Sequence, residues 1–160
     1  MATEIWFAVV RPLKPIWKIK NHIKCPGKSG HFLLKPIMKD IETQADLYLL
    51  VDEFYKKLLS DDSISYIFTD VVKIKIEEHL PILVTFWSQA ILGTGGYVKN
   101  LTQIHLDINK KEPLTPELFQ IWLNHFYTTV DENFIGEKAE KIKTQALSIA
   151  TIMQIKIAQE

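Results

Sequence analysis

The chain has 160 residues, with 19 basic and 19 acidic side chains, five histidines and one cysteine. That length suits one domain, and 47% apolar with 24% charged residues is a globular composition rather than a disordered or collagen-like one. No apolar run approaches the roughly 20 residues of a membrane-spanning helix, Cys25 has no partner for an internal disulfide, and zero net charge offers no general attraction to nucleic acid.

The zero conceals an asymmetry. Residues 1–37 hold seven basic side chains against one acid, Glu4, while the rest of the chain holds 12 against 18. Pro12, Pro15, Pro26 and Pro36 also fall in this first stretch, and they interrupt any helical period. It is expected to be a poorly structured basic extension, of the kind produced when sequence upstream of a start at Met38 is translated. A basic arm for anionic surfaces and a targeting segment are the competing readings. The apolar core at 5–10 is short and lacks a basic region before it, which weighs against a secretory signal. His22, Cys25 and His31 supply three ligands without a fourth at zinc spacing. Residues 38–160 are expected to form the domain.

Thr43 and Asp46 have the spacing of a capping box, and Leu47, Leu50, Val51, Phe54 and Leu58 form one apolar stripe. This predicts a helix over about 44–59. Residues 64–68 read as one helical turn. The alternation Val72-Lys-Ile-Lys-Ile76 has no partner strand and reads as a loop leading into the next helix. A second helix is expected over about 77–92, with His79, Ile82, Leu83, Phe86 and Ala90 on its inner face. Pro81 limits where that helix can start. A short helix or turn at 100–106 carries His105. Thr115 as cap and Pro116 in the first turn begin a third long helix, about 116–134. A fourth, about 137–158, turns Ile142, Ala146, Ile149, Met153 and Ile157 inward. The class is all-α with four main helices.

Familiar catalytic patterns are missing. There is no nucleophile elbow, no phosphate-cradling loop and no His-Glu-x-x-His, and Gly93-x-Gly-Gly96 follows a helix rather than a strand. What remains is His79, His105 and His125 among aromatic and aliphatic side chains. A lone imidazole in such surroundings is commonly a core residue, and it is also what haem iron requires.

Four segments resemble group III truncated haemoglobins, a family of shortened two-over-two globins. They are Phe54-Tyr55, Ile67-Phe68, Glu78-His79 with Phe86-Trp87, and His105-Leu106-Asp107 followed by Phe119-Gln-Ile-Trp122-Leu. The resemblance spans about 38–158, and the stretch from Asp107 to Leu118 is a few residues longer than in some relatives. It implies a truncated globin-like 2-on-2 helical sandwich binding one haem b. His105 is then the proximal iron ligand, with its second nitrogen donating to a carbonyl. Tyr55 donates its hydroxyl to the bound ligand, Trp122 adds an indole N–H, and His79 gates the pocket. Phe68 packs on the haem edge, and Phe54 and Phe86 line the distal wall. His125 matches no family ligand and reads as a surface or core polar residue. Lys73, Lys75 and Lys99 are not assigned to the haem propionates.

The resemblance implies reversible binding of dioxygen, nitric oxide or another small ligand. Two other classes stay open: an enzyme that dioxygenates nitric oxide or reduces peroxide, with a reductase as partner, and a haem-free helical interaction module. No nucleic acid or membrane span is expected, and the expected location is cytoplasmic.

Overall fold

The computed structural model describes residues 38–160. The expectations for the basic extension, including the His22, Cys25 and His31 fragment, fall outside the described residues.

The first helix, α1 (Gln44–Leu59), starts where the capping box places it. The Thr43 hydroxyl accepts the Asp46 amide at 3.2 Å, and the Asp46 carboxylate accepts the Thr43 amide at 2.9 Å. Its stripe of Leu47, Leu50, Val51, Phe54 and Leu58 is buried along its whole length. A π-helical turn follows at Ile67–Val71, longer than the single turn expected, closed by the Val72 amide on the Ile67 carbonyl at 2.9 Å. The alternating stretch after it is a loop and not a strand.

The second helix, α2 (Ile76–Trp87), continues as a π-helical turn, Ser88–Leu92, and stops at Gly93 in the left-handed conformation. Pro81 sits within α2 rather than in its first turn. Its missing N–H costs one backbone hydrogen bond, yet the helix passes through because packing holds both sides of it. The buried face also differs from the expected one. Leu80, Val84 and Trp87 enter the core, whereas His79, Ile82, Leu83 and Phe86 are only half-buried. This helix is apolar on two sides, and the periodic reading selected the less buried one, whose Leu83, Phe86 and Ala90 pack only partly against the core.

Of the short helix or turn expected at 100–106, the helix is found: α3 (Leu101–Asn109) runs a little further than expected and is capped by the Asn100 side chain on the Gln103 amide, 3.1 Å. Helices α4 (Pro116–Asn133) and α5 (Glu137–Ile157) match expectation within a residue or so at each end. The described residues thus hold the four main helices and the short α3, five α-helices in all. The α1 and α2 pair packs over the α4 and α5 pair, with α3 laid on α5. This is a two-over-two, all-α sandwich. None of its helices is long and apolar enough to cross a membrane.

Residues 39–41 tie down the far corner. Ile41 is fully buried, the Ile135 amide donates to the Lys39 carbonyl at 3.1 Å, and the Asp40 carboxylate accepts the Lys138 and Ala139 amides, both at 2.9 Å. Asp40 therefore caps α5 from far upstream. Gly136 makes room for it, with φ at 148° and a Cβ that would stand 2.4 Å from the Asp40 carboxyl carbon.

Two stability tests follow from these caps. Gly136→Ala combines strain at positive φ with a clash, so it should destabilise the fold by more than about 1 kcal/mol in denaturant titration. At Asp46, burial pushes the carboxyl up, but the Lys39 ammonium, the Glu42 and Thr43 amides and the Thr43 hydroxyl outweigh it and hold the group at about 2. A carboxylate held below its ordinary 3.8 stabilises the fold above that pH and loses the contribution as pH falls through about 2. Asp46→Asn should cost about 1–2 kcal/mol at pH 7. Its deficit against wild type should shrink as the pH is lowered across that window.

Candidate functional site

The half-buried side of α2 faces a cavity of about 330 Å³, within the range of ligand pockets, about 300–1,000 Å³. Each layer of the sandwich contributes to its wall. Tyr55 comes from α1, Phe68 from the first π turn, His79, Phe86 and Trp87 from α2, His105 from α3, Trp122 from α4 and Ile149 from α5. Helix α3 adds Leu101, Ile104 and Ile108. None of its residues is fully buried, although one side of it is apolar. Its inner side meets open cavity where a packed neighbour would otherwise be.

His105 is held by its own helix. Nδ1 lies 2.9 Å from the Leu101 carbonyl oxygen. A carbonyl can only accept, so Nδ1 carries the proton and Nε2 keeps its lone pair. Burial pushes the imidazole below its ordinary range, opposed in part by the Leu101 carbonyl. The ring is therefore neutral, half-buried and on the cavity wall.

Tyr55 and His79 meet directly, with the phenolic oxygen 2.8 Å from His79 Nε2. Burial drives the Tyr55 pKa well upward, so the phenol keeps its proton. Burial, and then the positive charge of Lys99, push His79 below the ordinary imidazole range. One hydrogen bond thus joins two neutral groups. The Tyr55 ring is held edge-on by Phe54 at 5.3 Å, Phe68 at 5.8 Å and His79 at 5.3 Å. Trp122 is fixed from behind, stacked on Phe126 at 5.4 Å and met edge-on by Phe54 at 5.6 Å. Phe126 in turn stacks on Trp87 at 5.1 Å. Such offset and edge contacts give each ring a preferred orientation beyond simple burial.

Six of the seven residues singled out from the sequence, His105, Tyr55, His79, Phe68, Phe86 and Trp122, line this one cavity. Phe54 does not reach it. It is buried behind the wall, between Tyr55, Trp122 and Phe126. His125 is outside the cavity, with Nε2 at 2.7 Å from Asp61 Oδ2, and it joins α4 to the loop after α1. Sequence reasoning missed Tyr97 and the α3 side chains, and it named Lys99 without assigning it; all of them line the cavity. The spacing of Leu101, Ile104 and Ile108 around His105 marks an apolar side that a two-turn helix shows only faintly.

No protein-family model matches the chain, and no curated protein matches it significantly. Among solved structures, the group III truncated hemoglobin from Campylobacter jejuni superposes with a TM-score of 0.68. The match is 27% identical and covers 76% of this chain and 95% of that one. The fold is that of a truncated haemoglobin. In this truncated-globin frame the cavity lies between the two layers. Among the described residues no three His, Cys, Asp or Glu side chains come together as a metal cage, and the cavity wall carries two separate imidazoles, those of His79 and His105.

Histidine-resolved NMR tests this geometry. His105 should show the Nδ1–H tautomer at neutral pH. His79 should titrate below 6.5, and its midpoint should climb in Lys99→Gln, because a nearby positive charge is gone. A His79 midpoint that ignores the substitution would contradict the placement of Lys99.

Proposed function

We propose that this truncated-globin fold binds one haem b, with His105 as the residue that would hold its iron, and that Tyr55, His79 and Trp122 would meet dioxygen or another small diatomic ligand. The observation that carries the reading is His105 itself: a neutral ring, oriented by a backbone carbonyl, presenting a free nitrogen to an apolar cavity. A single protein ligand suits a metal whose other in-plane ligands arrive with it. The uncovered apolar sides of α2 and α3 are the surfaces a flat apolar macrocycle would close. The residues present therefore fit the group. Bound haem supplies an iron centre to which a diatomic ligand coordinates.

The chain's own residues do the rest. The Leu101 carbonyl fixes the His105 ring and its tautomer. Phe68 and Phe86 exclude water from the edges of the slot. Tyr55 holds a proton that burial prevents it from losing, and it donates to a ligand atom carrying partial negative charge. In the described geometry that hydroxyl is engaged by His79. Presenting it to a ligand exchanges one neutral hydrogen bond, about 1 kcal/mol, for a charge-assisted one of about 1.5–3 kcal/mol. Trp122, a donor only, stands on the same wall.

The purified protein, or the apoprotein mixed with haemin, should show an intense Soret band that His105→Ala loses. A colourless protein that takes up no haemin would leave only the haem-free interaction module. Tyr55→Phe should speed oxygen dissociation roughly tenfold or more, the equivalent of one charge-assisted hydrogen bond. An unchanged off-rate would mean that the hydroxyl does not face the ligand. The same polar trio suits a second reading, turnover of nitric oxide or peroxide with electrons from a reductase in a reducing compartment such as the cytoplasm. Sustained nitric oxide consumption with a supplied reductase, weakened in Tyr55→Phe, would establish it.

A further inference from the structure

Among the described residues, four readily oxidised rings line the cavity: Tyr55, Trp87, Tyr97 and Trp122. Three of them are joined in one line through two phenyl rings. Trp122 stacks on Phe126 at 5.4 Å, and Phe126 stacks on Trp87 at 5.1 Å. Trp87 then meets Phe86 edge-on at 5.0 Å, and Phe86 meets Tyr97 edge-on at 5.0 Å. We infer that this run carries oxidising equivalents out of the cavity to Tyr97, and that Tyr97 is the site at which a small phenolic reductant outside the protein returns the electron. This rests on the haem reading above and on its peroxide branch.

Reduction of hydrogen peroxide to two waters takes two electrons and two protons. The iron of a bound haem supplies one electron, and a ring beside it has to supply the other. A ring that gives up an electron and keeps its proton is a strong oxidant and takes an electron from the next ring within reach. A phenol that sheds its proton with the electron leaves a neutral radical, and the transfer ends there. Phenyl rings are too hard to oxidise to hold the charge, so Phe126 and Phe86 act as bridges between Trp122, Trp87 and Tyr97. Electrons pass inward from Tyr97 to Trp87 to Trp122, and the Tyr97 phenol proton goes to water. A phenolic donor restores Tyr97 by giving it one hydrogen atom, and a second donor restores the iron. In sum, two phenols lose one hydrogen atom each and one hydrogen peroxide becomes two waters.

Tyr97 is the end of the run that reaches water. Its ring is half-buried beside the exposed Val98 and Lys99, whereas Trp87 is buried. Tyr55 joins the run through Phe54, which stands 5.3 Å from Tyr55 and 5.6 Å from Trp122. Its hydroxyl, however, is buried and faces His79 Nε2 at 2.8 Å. Burial and the charge of Lys99 hold that imidazole neutral, so Tyr55 keeps its proton and with it its electron. The place of Tyr97 is built rather than incidental. Gly93 turns the chain in the left-handed conformation after the second π turn. Gly95, with φ at 137°, lies so close to the Thr85 carbonyl that a Cβ would stand 2.9 Å from its oxygen. The Tyr97 amide donates to Gln89 Oε1 at 2.9 Å. These contacts lay the loop against α2 and keep the Tyr97 ring on Phe86, in an edge-on geometry that fixes its orientation.

The test follows protein radicals in the full-length, haemin-loaded protein after a stoichiometric addition of hydrogen peroxide. They are read by electron paramagnetic resonance of freeze-quenched samples and by peptide mapping of a covalent spin trap. Wild type should give a tyrosyl signal, with the trap on Tyr97. Tyr97→Phe should lose most of that signal and oxidise less guaiacol per peroxide consumed. Trp87→Phe keeps a ring in the run but removes its oxidisable indole, and it should also weaken the Tyr97 signal. Tyr48→Phe removes an exposed tyrosine away from the cavity and should leave the signal intact. A full tyrosyl signal in Tyr97→Phe, a trap found on Tyr55 in wild type, or haemin-loaded wild type that forms no protein radical overturns the relay and leaves the haem reading standing. Failure of wild type to take up haemin overturns both.

Discussion

An apolar helix side needs something apolar against it, and α2 has two such sides with only one core to serve. Leu80, Val84 and Trp87 take the core. Their neighbours His79, Ile82, Leu83 and Phe86 are left facing α3, and α3 faces back with Leu101, Ile104 and Ile108. The cavity follows from this surplus. At about 25 cal/mol per Å² of apolar surface removed from water, a flat hydrophobic occupant that fills the gap stabilises the fold that surrounds it.

Around that gap the wall is stiff where chemistry needs stiffness. Trp122, Phe126 and Trp87 form a short stack through the core, with Phe54 edge-on to two of its rings. Changing any of these rings alters the angle at which Trp122 and Tyr55 meet the cavity, although Phe54 and Phe126 do not touch it. Opposite, His105 depends on a hydrogen bond four residues long within one turn of its own helix, so its orientation is independent of distant packing.

The helices with one apolar stripe were legible in the sequence. The capping box and stripe of α1, the proline start of α4 and the extent of α5 all follow local rules that the packing does not overrule. Three features were not legible. The periodicity of α2 fits two faces equally well, and only the presence of α1, and of Phe126 from α4 against Trp87, decides which one is buried. The placement of Phe54 behind the wall is similarly a matter of one helical position: it and Tyr55 are neighbours in sequence, 100° apart around α1, and the cavity meets only one of them. Residues such as Lys99, which belongs to a loop, carry no periodic signal. Its place comes from glycine conformations and a glutamine side chain eight residues before Tyr97.

The corner at Gly136 bears on how such a chain comes to be folded. The amides of Lys138 and Ala139 find their acceptor in Asp40, 98 and 99 residues away in sequence. Contacts of that separation form late, because the loop they close is long. During synthesis the aspartate leaves the ribosome early and waits for the final helix to arrive. This bond joins the segment before α1 to the first turn of α5, which makes cooperative assembly of the whole domain, rather than stepwise growth, the route this topology favours.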